Sequence, residues 1–321
     1  MSVGEEYQEK VSGRLYTIVP ESEERASQVR TFIDSHIHLF RQSLYSWLNE
    51  TKPVTFEGDW TPIEADYTPE DLLAEAEGTR VQIKGAVHVQ ANAMDPVAET
   101  AEVQRMADEA GLPVSIVGGG DLSSPDFEDV VERQLAYPGF HAVRQILNIH
   151  PHPLYAYVDT DFMNDPKWLA GLRVLAKHGL AFDMQLYPTQ FKRALQVIDS
   201  NPDVTFIINH AGMLADRSLD GWRLWSEGLY ELGQRDNVAM KVSGLASMDH
   251  YWTIESIKPA IFTCLDAFGT DKCMFASNFP VDKLHGSYVD TVLGFVRATE
   301  ELSQSERDAL FVDNARRYYK F

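Results

Sequence analysis

The sequence has few cysteines, no long apolar run and a shortage of basic residues. Only two cysteines, Cys264 and Cys273, occur among 321 residues, which is too few for a disulfide framework and fits free thiols in a reducing compartment. No apolar run approaches the ~18 residues that a membrane helix needs. Residues 1–30 are polar and lack the apolar core of a secretory signal. These absences predict a cytoplasmic protein.

The charge balance excludes two classes of partner. Lysine and arginine number 28 against 48 acidic residues, which gives a formal net charge of −20. Nucleic acids and anionic membranes bind proteins through a surplus of basic side chains, and this chain has none. The sequence therefore predicts a small-molecule substrate and no nucleic-acid or membrane partner. It does not fix the assembly state, and it allows a homodimer.

Strand and helix patterns alternate along most of the chain. Eight short apolar segments are bounded by turn residues, and most are separated by a helical pattern. Eight such units in roughly 290 residues favour a (β/α)8 TIM barrel of the α/β class. An open doubly wound sheet is the alternative, but Gly118-Gly119-Gly120 lacks the phosphate-binding G-x-G-x-x-G spacing. We predict one barrel domain over 31–321 and a peripheral extension over 1–30, with one short strand over Leu15 to Pro20.

Polar residues stand at the ends of seven of the eight predicted strands. In a TIM barrel the carboxyl ends of the strands carry the active site, and polar side chains there are costly unless they have partners or a use. In chain order these residues are His36 and His38, Gln90, Arg144, Gln185, His210, Lys241 and Asn278, with Asp282 just beyond the last.

Each of these residues has a structural alternative to a functional role. His36 and His38 lie two apart on a strand, so both point to one face. Two converging imidazoles can hold a divalent metal or polarise an oxygen, but such a pair can equally be structural. Arg144 suits a buried ion pair with Asp183 or Asp34 as well as it suits a substrate. Lys241 is similar, and the two glutamines can be hydrogen-bond fillers.

Seven segments, in order along the chain, carry a family pattern. They are Ile33–Phe40, Val87–Ala91, Val143–Leu147, Phe182–Tyr187, Ile208–Gly212, Met240–Leu245 and Phe275–Pro280. Together they resemble the amidohydrolase superfamily, most closely its amidohydrolase-related (amidohydrolase 2) branch and the TIM-barrel lactonases within it. The resemblance implies a metal-dependent hydrolase that attacks a carbonyl, usually of a cyclic ester. It also implies one divalent metal, most readily zinc, at His36, His38 and His210.

The chain departs from the family pattern at two strand ends. Asn278 stands where the superfamily usually has an aspartate, and an amide cannot take a proton near pH 7. Asp282 is the nearest carboxylate that could act as the base. Gln185 stands where many members have a metal-binding histidine, and Arg144 occupies the position of a bridging ligand. The ligands that remain suit a mononuclear site, and a metal-free mechanism is an alternative.

We therefore predict a hydrolase that opens the lactone of a small carboxylated or sugar-derived molecule with activated water. The alternatives are another amidohydrolase-type reaction, such as amide hydrolysis or decarboxylation, and a catalytically impaired barrel that only binds a small molecule. The predicted catalytic residues are His36, His38, His210 and Asp282. The predicted substrate-binding residues are Arg144, Gln185, Lys241, Gln90 and Asn278. Specificity is expected in the loops Arg41–Asp66 and Asn148–Met163.

Overall fold

The computed structural model describes residues 7–11, 14–18, 30–48 and 55–321. In the first two of these ranges it describes the backbone alone. None of the helices in these ranges is long and apolar enough to cross a membrane. Of the predicted specificity loop Arg41–Asp66, the structure describes all residues except 49–54.

The first two strands form a small sheet of their own. Strand β1 (Tyr7–Val11) pairs antiparallel with β2 (Arg14–Ile18). The predicted strand over residues 15–20 is thus one arm of a hairpin, and its last two residues lie outside the described part of the chain. All of residues 19–29, up to the start of the barrel, also lie outside the described part of the chain. The separate extension over 1–30 therefore stays a prediction.

Eight further strands form one parallel sheet whose spatial order follows the chain. They are β3 (Arg30–Ile37), β4 (Val81–Val89), β5 (Val114–Gly119), β6 (Phe140–Ile146), β7 (Ala181–Gln185), β8 (Phe206–Ile208), β9 (Val238–Val242) and β10 (Cys273–Phe275). The sheet closes beyond its first and last strands, where Ile37 bridges Phe279 and the amide of His38 donates to the Phe279 carbonyl at 2.7 Å. This closure confirms the predicted (β/α)8 barrel over an open sheet.

Helices lie between most strands and cover the outside of the barrel. They are α1 (Pro69–Glu75), α2 (Pro96–Ala110), α3 (Phe127–Gln134), α4 (Pro166–His178), α5 (Phe191–Asp199), α6 (Leu219–Gly233), α7 (Leu245–Met248), α8 (Ile254–Phe268), α9 (Tyr288–Ala298), α10 (Gln304–Asp308) and α11 (Asn314–Tyr319). Local sequence fixes several starts: Thr68, Asp95 and Asp165 each accept a hydrogen bond from an amide in the first turn, as N-caps do.

The core has two parts separated by the sheet. Outward-facing strand residues pack against the helices around large side chains such as Trp168 and Trp225, both fully buried. A second cluster fills the barrel interior with Val87, Val89, Val117, Ala142, Ala181, Ile207, Ala239, Met274 and, from α11, Tyr319. The polar residues at the carboxyl ends of the strands therefore lie above an apolar floor.

Candidate active site

A polar layer lies directly above the apolar floor of the barrel. Alternate residues of a strand share a face, so Arg144, Asp183 and Lys241 follow Ala142, Ala181 and Ala239 on the interior side. All three charged side chains are at most 4% exposed. A charge buried this deeply is costly unless a partner stabilises it, so the pairing within the layer is informative.

Asp183 and Lys241 satisfy each other. Lys241 Nζ lies 2.7 Å from Asp183 Oδ2, and both side chains are fully buried. The same carboxylate accepts hydrogen bonds from Asn209 Nδ2 at 3.0 Å and from the hydroxyl of Tyr319 at 2.7 Å. Burial lowers the pKa of Lys241 to about 8, although Asp183 opposes this. Lys241 thus contacts Asp183, and its predicted substrate contact stays a prediction.

Arg144 has no carboxylate partner among the described residues. Its Nη1 donates to Gln185 Oε1 at 2.9 Å, and its Nη2 donates to the backbone carbonyl of Gln90. The alternative of an ion pair with Asp183 or Asp34 is therefore wrong. Burial lowers the pKa of Arg144 to about 10, so the guanidinium is still charged at neutral pH. The charges of Asp183 and Glu99 oppose this lowering, but neither carboxylate forms an ion pair with Arg144. A fixed, buried cation without a direct ion-pair partner among the described residues suits the binding of an anion or a developing oxyanion.

The three predicted histidines come together at the barrel mouth. The ring of His36 lies 4.4 Å from that of His210 and 5.0 Å from that of His38, centroid to centroid. Burial lowers the pKa of each well below its usual value, and the neighbouring cation Arg144 lowers it further. Lys241 adds to the lowering for His36 and His210. The rings are therefore neutral at pH 7, as metal ligands and hydrogen-bond acceptors must be.

The hydrogen bonds of the histidines indicate which nitrogens face the site. His38 Nδ1 lies 2.7 Å from the carbonyl of Val89. A carbonyl only accepts, so Nδ1 carries the proton and Nε2 carries the lone pair. His210 Nδ1 lies 3.1 Å from Ser243 Oγ. Both ring nitrogens of His36 are buried and have no hydrogen-bond partner in the part of the chain that the structure describes. A buried unpaired nitrogen is costly, so His36 fits a site that a metal or a ligand completes.

The backbone around His210 is shaped to hold the ring. His210 has a φ of +53° and Ala211 a φ of +51°, a left-handed conformation that costs energy outside glycine. Gly244, just after β9, also has a positive φ, and a Cβ there would lie 2.8 Å from His210 Nδ1. Only glycine fits this position. Strained backbone kept by its surroundings is common at functional sites.

Asp282 is buried just after β10, and its role as the base stays a prediction. It is 1% exposed, and its Oδ1 accepts hydrogen bonds from Ser247 Oγ at 2.6 Å and from Asn278 Nδ2 at 2.9 Å. The backbone amide of Asn278 donates to the backbone carbonyl of His36 at 2.9 Å, so the segment that carries Asp282 pairs with the end of β3. Burial raises the pKa of Asp282 from 3.8 to about 7.

The three histidines at the barrel mouth are suitable metal ligands by residue type, but their ring nitrogens are not close enough together to share one ion as they stand. Three neutral imidazoles and one open position are a common zinc donor set. Among the described residues, one trio of ligating side chains has donor atoms all within 4.8 Å of one another, namely Glu128, Glu132 and His178. That trio lies on the outer helices, where Lys177 Nζ already pairs with Glu128 at 2.5 Å. A shared ion at the mouth therefore requires a rotation of at least one histidine ring.

Sequence reasoning missed three polar residues that support the site. Asp34 is fully buried and accepts from the amide of Ser277 at 2.9 Å, which ties β3 to the end of β10, and burial raises its pKa to about 6. Ser243 and Ser247 contact His210 and Asp282. Ser243 directly follows a strand and could have been found by that position. Ser247 lies in a short helix, and no sequence signal marks it.

The match to a protein family covers almost all of the described barrel. A family model described as amidohydrolase matches residues 33–321. The chain belongs to the amidohydrolase family. Its family and its relatives make it a hydrolase, as the sequence analysis predicted. The predicted resemblance is thereby confirmed.

Two curated relatives match most of this amidohydrolase. One is the uncharacterized protein y4mH of Sinorhizobium fredii, 39% identical over 90% of this chain and 98% of the relative. The other is an L-fucono-1,5-lactonase of Burkholderia multivorans, 28% identical over 89% of this chain and 95% of the relative. A crystal structure of an amidohydrolase from Burkholderia multivorans with bound HEPES superposes with a TM-score of 0.75 at 25% identity, covering 91% of this chain and 99% of that one. A second crystal form of that protein contains zinc.

Proposed function

We propose that this amidohydrolase opens the lactone of a small carboxylated or sugar-derived molecule by attack of an activated water. The observation that carries the proposal is the burial of the Asp282 carboxyl, which raises its pKa to about 7. Such a carboxyl is suited to accept and return a proton at neutral pH. The L-fucono-1,5-lactonase, at 28% identity, supports a lactone as the substrate class.

In this proposal Asp282 carries out the proton transfers. Its carboxylate takes a proton from water as the water oxygen bonds to the lactone carbonyl carbon. The ring carbon–oxygen bond then breaks, and the protonated Asp282 returns the proton to the departing alcohol. The products are an open-chain hydroxy acid and a carboxylate free for the next cycle. Hydrogen bonds from Ser247 and Asn278 fix the carboxylate throughout.

Arg144 stabilises negative charge in this scheme. Gln185 and the Gln90 carbonyl hold its guanidinium in place, and no described carboxylate forms an ion pair with it. It binds the substrate carboxylate or the oxyanion that forms as the carbonyl is attacked. Such fixed donors gain strength where water is excluded.

His36, His38 and His210 are the residues that would hold one divalent cation, most readily zinc. A bound cation polarises the lactone carbonyl and lowers the pKa of water. In the metal-free alternative the unpaired nitrogens of His36 contact the substrate directly. Metal analysis after mild dialysis separates these versions: full activity without stoichiometric metal would disprove the mononuclear site.

Turnover of a substrate panel tests the reaction class. Aldonolactones and muconolactones, read by a pH indicator, should release acid, while matched amides and hydroxybenzoates should not react. His36→Asn should abolish turnover, whereas His178→Asn, a matched change in the surface trio, should leave it unchanged. Turnover of an amide or a decarboxylation substrate with none of any lactone would replace this proposal with another amidohydrolase reaction.

A further inference from the structure

A tight turn in the loop after β3 is anchored over the barrel mouth. Thr55 and Gly58 bridge across it, and the ring of Phe56 stacks on Tyr155 with 5.4 Å between centroids. The backbone carbonyl of Glu57 lies 2.8 Å from His285 Nε2. The turn is thus held by contacts to two other loops, and the side chain of Glu57 has a defined place.

The carboxyl of Glu57 is buried with one oxygen unsatisfied. The residue is 4% exposed, and its Oε1 accepts a hydrogen bond from the hydroxyl of Tyr157. Its Oε2 is buried and has no hydrogen-bond partner among the described residues. A buried acceptor without a donor costs free energy. Burial raises the pKa of this carboxyl, while hydrogen bonds from the Thr55 side chain and the Glu57 backbone lower it. The geometry leaves Oε2 with the capacity for a further hydrogen-bond donor.

Glu57 lies close to the catalytic groups. Its charge contributes to the raised pKa of Asp282, after burial. After burial, the charge of Glu57 also raises the pKa of Tyr187, just after β7. The hydroxyl of Tyr187 donates to the carbonyl of Tyr155 at 2.8 Å. The mouth thus has an acidic side with Glu57 and Asp282, while Arg144 supplies a cation that forms no ion pair with a described carboxylate.

We propose that Glu57 is a specificity-determining residue whose Oε2 accepts a hydrogen bond from a substrate hydroxyl. This inference rests on the proposed lactone hydrolysis and narrows its substrate class to hydroxylated lactones. A substrate carboxylate on the Glu57 side of the mouth is disfavoured, because it would lie beside the buried carboxyls of Glu57 and Asp282. Aromatic rings beside the turn, those of Phe56, Tyr155 and Tyr187, offer faces for the C–H side of a sugar ring.

A matched pair of substrates tests the inference. An aldono-1,5-lactone carries ring hydroxyls, and δ-valerolactone has the same ring without them. Glu57→Ala should lower kcat/KM for the aldonolactone by about 10- to 100-fold, the range for a hydrogen bond to a charged group. It should leave kcat/KM for δ-valerolactone within about threefold. Glu77→Ala changes an exposed glutamate in the turn that follows α1; it is the matched control and should change neither.

The outcomes are distinct. Equal losses for the two lactones, or no loss for either, would overturn the role of Glu57. Glu57→Gln keeps the side-chain size, and an unchanged thermal midpoint in this variant with a reduced preference for the aldonolactone excludes a folding defect. If wild type hydrolyses no lactone, the proposed reaction fails, and calorimetric binding of the aldonolactone decides the inference. Binding that Glu57→Ala abolishes supports it, whereas equal or absent binding refutes it.

Discussion

Asp282→Asn should make the enzyme more stable and nearly inactive. The amide cannot take a proton near pH 7, so loss of the base should lower kcat by on the order of a hundredfold or more. The fold should tolerate the change. Asparagine has nearly the same size as aspartate, keeps an oxygen acceptor for Ser247 and Asn278, and removes the buried charge.

The stability gain follows from the raised pKa. Burial moves the pKa of Asp282 from 3.8 to about 7, a difference of about three, and each pH unit corresponds to about 1.4 kcal/mol. The charged carboxylate therefore costs the folded state about 4 kcal/mol above pH 7. Below pH 3.8 the carboxyl is protonated in both states and the cost is absent. The cost grows as the pH rises from about 4 to about 7.

Urea unfolding at two pH values measures this effect. The variant should exceed wild type in free energy of unfolding by about 2–3 kcal/mol more at pH 8 than at pH 5. The difference isolates Asp282, because Asp34, whose pKa is also raised, is present in both proteins. Asp203→Asn, an exposed aspartate, is the control and should show no such dependence. Turnover within a few-fold of wild type would refute Asp282 as the base, and a pH-independent stability difference would refute its buried charge.

Three further changes test the rest of the site. Arg144→Gln should lower kcat/KM for lactones by on the order of a hundredfold, and Arg144→Lys should not restore it, because lysine lacks the planar two-pronged donor; steady-state rates decide. Lys241→Met leaves Asp183 buried and unpaired and should destabilise the fold by about 3–5 kcal/mol in urea titration. Ser243→Ala removes the partner of His210 Nδ1 and should weaken zinc binding by about 10- to 100-fold in competition with a chelator.

The parts of the fold that follow from short-range rules could be predicted from the sequence. Alternating apolar segments and caps such as Thr68 and Asp95 reveal the strand–helix series. Once the barrel is inferred, topology alone brings the carboxyl ends of parallel strands to one rim. That is why His36 and His210, which lie 174 positions apart in number, could be expected together, and the 4.4 Å between their rings confirms it.

Partner choice inside the barrel could not be predicted. Arg144 and Lys241 both reach the polar layer, and the sequence does not say which of them takes Asp183. The structure decides for Lys241, although Arg144 is the direct register partner of Asp183 between β6 and β7. The Tyr319 hydroxyl from the last helix also donates to that carboxylate. Glu57 was equally hidden, since a residue in a loop acquires its place only from the contacts its turn makes with distant segments.

Exclusion of water from the mouth accounts for the main electrostatic features of the site. It keeps the histidines neutral, it brings the pKa of Asp282 near 7, and it leaves Arg144 charged because a guanidinium starts so far above neutrality. In the same dry surroundings Arg144 attracts an oxyanion more strongly than it would in water. A mouth opened to solvent would return the pKa of Asp282 toward 3.8 and weaken it as a base. The loops that cover the barrel thus take part in the chemistry, and residues such as Glu57 belong to the site as much as the strand ends do.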